Sequence, residues 1–77
     1  MSITIYSTPD CPWCKKTKEF FKEHKIEFND VDVSSDAKAA DEMIKKSGQK
    51  GVPVIDANGK IIVGFDEHSL KKALHLK

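Results

Sequence analysis

Apolar residues recur along the chain with two spacings, and the spacing changes where turn-forming residues cluster. Ile3-Thr4-Ile5-Tyr6 is β-branched and aromatic, and Ser7-Thr8-Pro9-Asp10 interrupts it, which predicts a short strand and its exit loop. From Trp13 to His24 the less polar positions fall at Trp13, Cys14, Thr17, Phe20 and Phe21, with Lys and Glu between them. That is the period of a helix buried along one side, with Phe20 and Phe21 as its core anchors. Residues 26–33 return to strand composition, and Asn29 and Asp30 break the alternation in the manner of an edge strand with a wet face. Ser34-Ser35-Asp36 supplies candidate N-caps for a second helix, whose apolar positions are Ala39, Ala40, Met43 and Ile44 and whose end is marked by Ser47-Gly48. Residues 52–55 and 60–63 flank Asp56-Ala57-Asn58-Gly59, and the Asn-Gly pair predicts an antiparallel hairpin. Gly64-Phe65-Asp66 then opens a third helix bearing Leu70, Ala73 and Leu74, with Asp66 as cap and Phe65 and Leu70 spaced for a hydrophobic staple.

The predicted order is βαβαββα, an α/β fold. A right-handed crossover makes the first two strands parallel neighbours. The hairpin adds the antiparallel part of a mixed four-stranded sheet, and the helices cover both faces. Residues 1–77 form one domain with a small core.

Charge narrows the range of partners. The 13 basic residues against 12 acidic ones leave a net charge of +1 with interspersed signs, so neither nucleic acid nor a membrane surface is an expected partner. All the basic residues are Lys, so an anionic substrate would be held by ammonium groups, backbone N–H groups or neutral side chains, without a bidentate guanidinium. The first residues carry no basic lead-in and no long apolar run, and both cysteines lie in one tight motif rather than a long-range disulfide framework. A monomer in a reducing, cytoplasmic setting is the expectation.

Those cysteines, Cys11 and Cys14, enclose Pro12 and Trp13 where the first strand gives way to the first helix. A Cys-x-x-Cys pair there puts the first sulfur at the capping position, where unpaired N–H groups and the helix dipole favour a thiolate, and the second about one turn deeper. Pro12 suits the first helical position because its missing N–H would have had no partner. Lys15, Lys16 and Lys18 add positive charge nearby, and Asp10 opposes it. A metal site is the competing reading for the pair. A structural zinc needs four ligands, and only His24, His68 and His75 are available to complete the set, at no recognised ligand spacing.

Together these features resemble the thioredoxin superfamily and, within it, the small glutaredoxins and glutaredoxin-like redoxins, over essentially the whole chain. Cys11-Pro12-Trp13-Cys14 is similar to the glutaredoxin Cys-Pro-aromatic-Cys site, Val52-Pro53 to the cis-proline dipeptide, and Gly64-Phe65-Asp66 to the substrate-binding turn before the last helix. The resemblance implies a thiol–disulfide oxidoreductase that reduces protein disulfides or glutathione mixed disulfides, with Cys11 attacking and Cys14 resolving. It further implies that Trp13 flanks the mixed disulfide, that Val52 offers its backbone to the substrate beside a cis Pro53, and that Gln49, Gly64, Phe65 and Asp66 contribute to glutathione binding. No bound cofactor is implied, only glutathione as co-substrate. Thr8 stands where glutathione-using members generally carry a Lys, and a single glycine precedes Phe65 where many have two. An alternative reading follows from that departure, a redoxin recharged by a thioredoxin reductase. A third is a binding module in which the thiolates hold a metal or an iron–sulfur cluster without turnover.

Overall fold

The computed structural model describes residues 3–74. In chain order the elements are β1 (Ile3–Ser7), α1 (Pro12–Glu23), β2 (Asn29–Asp32), α2 (Ala37–Ser47), β3 (Val54–Ala57), β4 (Lys60–Val63) and α3 (Glu67–Ala73). The sheet runs β2-β1-β3-β4, with β1 parallel to β2 and antiparallel to β3, and β3 antiparallel to β4. This is the thioredoxin-like βαβαββα arrangement, with β2 at an edge.

Alternation along β1 divides the core between the two faces of the sheet. Ile3 and Ile5 join Phe20 and Phe21 of α1, Ile55 of β3 and Leu70 of α3 in one buried cluster. Tyr6 points the other way, into a second cluster with Ala39 and Met43 of α2 and Val54 of β3. Lys46 clamps α2 to the sheet on this side, donating to the Tyr6 hydroxyl and to Asp56 Oδ2, each at 2.9 Å. That ammonium holds the Asp56 carboxyl below the ordinary Asp range.

Each helix begins as the residues dictate. Cys11, Asp36 and Asp66 are the N-caps, each extended in backbone and each accepting an N–H from three residues on. Phe65 packs against the cluster that contains Leu70, the pairing expected of a staple.

Several strand boundaries differ from the sequence pattern. The second strand starts at Asn29 instead of residue 26, because the chain is still tied to the end of α1. Ile26 N–H donates to the Phe21 carbonyl at 2.9 Å and Lys25 N–H to that of Lys22 at 3.0 Å, the paired bonds of a Schellman turn, with Lys25 left-handed at φ 56°. Ile26 and Phe28 therefore pack into the core from a loop. In the hairpin, pairing continues through Asp56 and Ala57 and leaves Asn58-Gly59 as a two-residue loop. Both loop residues have positive φ, 55° and 99°, as a type I′ turn requires. The strand also starts later than residue 52, at Val54, since Pro53 has no N–H to give a ladder.

Lys25 occupies a position that glycine fills more readily; at the end of α2 the same role falls to Gly48 at φ 75°. Lys25→Gly should raise the unfolding free energy by up to about 1 kcal/mol, because a Cβ is disfavoured in the left-handed region. Urea unfolding of the two proteins side by side measures this, and a fall in stability would contradict the turn assignment.

Candidate functional site

At the start of α1 the backbone of Cys11 is extended (φ −97°, ψ 110°), so its side chain folds over the first turn and Sγ accepts the Cys14 N–H at 3.1 Å. A sulfur thus stands where a serine or aspartate oxygen caps most helices, in contact with an amide hydrogen that favours negative charge. The Cys11 N–H donates to the Thr8 carbonyl at 3.4 Å, which ties the capping residue to the end of β1. Cys11 is partly exposed, whereas Cys14 is fully buried on the inward face of α1 beside Thr17. Both are free thiols.

The other loops converge on this point. The Val52–Pro53 bond is cis, and the Val52 carbonyl lies 3.9 Å from Cys11 Sγ, within reach of its S–H. The Gly64 N–H donates to the Pro53 carbonyl at 2.8 Å and so fastens the turn before α3 to the proline loop. Trp13 is 56% exposed and stacks on Phe65, with ring centroids 6.3 Å apart and planes 30° from parallel. Phe65 in turn meets Phe20 edge-on at 5.9 Å, and Lys16 Nζ sits 4.9 Å above the Trp13 ring. Cys11, Trp13, Val52, Gly64 and Phe65 therefore come together here, with the Pro53 side chain fully buried.

Gln49 and Asp66 behave differently, because their polar atoms are already engaged. The Gln49 amide closes on the backbone of Gly51, with Nε2 donating to the Gly51 carbonyl at 3.0 Å and Oε1 accepting the Gly51 N–H at 2.6 Å. Asp66 accepts both the N–H (3.2 Å) and the hydroxyl (2.8 Å) of Ser69. Those bonds, the hydroxyl one foremost, hold its carboxyl below the ordinary range.

Burial and a hydrogen bond to the Cys11 side chain push the Cys14 thiol up from 9.0 to about 11, while the Thr8 backbone N–H and the Lys18 ammonium pull the other way. The helix thus places its two sulfurs in opposite settings, one among amide hydrogens at an accessible end and one in an apolar interior. His24 and His68 are exposed at helix ends, and His75 lies outside the described residues. Among the described residues no three His, Cys, Asp or Glu side chains come together as a metal site, and no helix is long and apolar enough to cross a membrane. In the sequence Lys18 is only nearby charge, with nothing to tie it to Ser7 or Asp30; the one signal it carries is its four-residue spacing from Cys14, which puts both on one helix flank.

A glutaredoxin family model matches residues 3–62. An uncharacterised glutaredoxin-like 8.6 kDa protein in the rubredoxin operon of Clostridium pasteurianum is 54% identical over 72 residues, 94% of this chain and 96% of the relative. Glutaredoxin 3 of Escherichia coli (strain K12) is 30% identical over 66 residues, covering 86% of this chain and 80% of its own. Among solved structures, the glutaredoxin-like protein NrdH-redoxin from Escherichia coli, described as having a thioredoxin-like activity profile, matches with a TM-score of 0.84 at 28% identity over 94% of this chain and 93% of its own. A redox dithiol at the head of α1 in a thioredoxin-like fold defines a thiol–disulfide oxidoreductase working through Cys11-Pro12-Trp13-Cys14. The chain belongs to the glutaredoxin family.

The raised Cys14 thiol carries a pH dependence of known sign. The folded state holds this proton more tightly than the unfolded chain, so its contribution to the stability of the reduced protein is complete below pH 9.0 and lost as pH rises through about 11. Denaturant midpoints measured across that window should fall for the reduced protein and fall less for Cys14→Ser. Equal slopes would remove the assignment. At neutral pH, limiting iodoacetamide should label Cys11 and spare Cys14, as read by peptide mass spectrometry, because attack needs an accessible thiolate.

Proposed function

We propose that the protein is a dithiol donor to protein disulfides, re-reduced by a disulfide reductase of the thioredoxin reductase class in preference to glutathione. In the reductive half, the Cys11 thiolate attacks one sulfur of a partner disulfide, whose bond breaks as a Cys11–partner bond forms, and the displaced sulfur leaves as a thiolate that takes up a proton. Cys14 then loses its proton and attacks Cys11 Sγ. The mixed disulfide breaks, a Cys11–Cys14 disulfide forms, and the partner departs carrying two electrons and, once its second sulfur is protonated, two protons. The Val52 backbone beside Cys11 suits an extended partner segment paired as an added strand, and the exposed Trp13–Phe65 stack offers it an apolar seat.

The observation that carries the choice of donor is the closure of the Gln49 amide on Gly51. Glutathione is recognised through its carboxylates, and the polar groups assigned to that task are engaged within the chain. Asp66 itself supplies the acceptor at the start of α3, and so presents a carboxylate where the γ-glutamyl carboxylate would have to bind. Thr8 brings no cation, and with no Arg in the chain there is no guanidinium to replace it. The thioredoxin-like activity profile attributed to the related NrdH-redoxin supports the same choice. The likeness to glutaredoxin 3 keeps glutathione as the donor to be tested against it.

Two coupled assays, each following NADPH oxidation with insulin or a small mixed disulfide as acceptor, separate the donors. Thioredoxin reductase alone should sustain turnover, and glutathione with its reductase should give at most a small fraction of that rate. Faster turnover with glutathione would overturn the proposal. Cys11→Ser should abolish both reactions, whereas Cys14→Ser should halt at a mixed disulfide that can be isolated and weighed.

A further inference from the structure

Beneath the active-site loop lies a charged chain that the dithiol mechanism above does not use. Lys18 Nζ pairs with Asp30 Oδ2 at 2.9 Å across the gap from α1 to β2, and the Lys18 side chain is only 23% exposed. The other oxygen of that carboxylate, Oδ1, accepts the Ser7 hydroxyl at 3.1 Å. Ser7 is 1% exposed and is the last residue of β1, directly before the loop that leads to Cys11. The three groups therefore join the end of β1, the edge strand and the middle of α1. Lys18 lies four residues beyond Cys14, on the same flank of the helix.

This placement matters for the second half of the reaction. Cys14 has to become a thiolate inside an apolar site in order to attack, and an unpaired buried charge is costly. Burial foremost, and then the Cys11 side chain of its own helix, hold the Cys14 thiol up, while the Thr8 backbone from the loop and, with the smallest effect, the Lys18 ammonium pull it down. From β2 the Asp30 carboxylate reaches this region through its bond to Lys18. Lys18 is thus the one side-chain cation in that set. A free lysine would wander through many rotamers, but this one is tethered.

We propose that Lys18, held by Asp30 and through it by Ser7, is the fixed cation that stabilises Cys14 as it turns into the attacking thiolate, so that these residues govern the resolution step and not the first attack. The inference rests on the reading of Cys14 as the resolving thiol. Lys18 is a positioning and electrostatic residue: it takes no proton from Cys14, which releases its proton to solvent, and it forms no bond to the substrate.

Ellman's reagent separates the two steps on the protein as it exists. Attack by Cys11 splits the aromatic disulfide and releases one coloured thiolate; attack by Cys14 on the resulting mixed disulfide releases the second and leaves the protein disulfide. In stopped flow, Lys18→Met should leave the first release unchanged and slow the second about tenfold at neutral pH, moving its pH profile about one unit higher. Lys18→Arg, which keeps the charge, should restore the second phase. Lys18→Gln should repeat the Met result, and thermal unfolding of each variant identifies any that fails to fold. Equal slowing of both releases, or a slower second release with an unmoved pH profile, would reduce the trio to a structural tie and overturn the proposal. Cys14→Ser tests the underlying reading separately: a second release that survives in that variant would refute Cys14 as the resolving thiol, whatever Lys18 does.

Discussion

The hydrogen bond from the Cys14 amide to Cys11 Sγ is the contact on which the chemistry depends. It exists because Cys11 is extended while Pro12 already has helical geometry, so the sulfur turns back over the first turn and takes an amide hydrogen that would otherwise be unpaired. A helix end offers hydrogen bonds and positive potential without introducing a positive side chain. Cys11 thereby remains partly open to a partner while its sulfur is hydrogen-bonded from behind by the backbone.

The same helix also keeps the second sulfur in reserve. Its amphipathic period, which buries Phe20 and Phe21 against the sheet, buries Cys14 and Thr17 as well. Packing and redox chemistry are therefore not separable along α1: the face that stabilises the fold is the face that buries the second sulfur of the dithiol. Ionising that sulfur is an electrostatic problem: burial and the Cys11 side chain oppose it, while the Thr8 backbone and the part-exposed Lys18 ammonium tied to Asp30 favour it.

Around Cys11 the surface is built from loop backbones and two aromatic rings. The Val52 carbonyl, the Gly64–Pro53 hydrogen bond and the Trp13–Phe65 stack form a platform suited to an extended apolar segment. The polar side chains nearby satisfy one another or their own backbone, Gln49 on Gly51 and Asp66 on Ser69. A small ligand recognised through its carboxylates would have to displace such bonds, whereas a protein segment pairing through its main chain would not.

Element order, helix caps, the hairpin loop and the redox pair were all readable from the residues, because each arises within a few positions of chain: a 3.6-residue period, a capping side chain, an Asn-Gly turn, a proline at a helix start. Helical period alone groups Trp13 with the buried positions of α1, whereas its exposed stack on Phe65 depends on a turn far along the chain. The late start of β2 and the continuation of β3 to Ala57 were equally hidden, the first set by a Schellman turn at a non-glycine residue and the second by ladder pairing with β4. Gln49, placed with the binding residues by its position before the proline, is closed on Gly51 by a loop conformation that spacing cannot reveal. The link from Ser7 through Asp30 to Lys18 spans two strands and a helix, and it depends on side-chain directions that exist only after the sheet has brought β1 and β2 side by side. Local chemistry thus declared what kind of reaction the chain performs, while long-range packing decided which groups are free to touch a partner and which are already bound to one another.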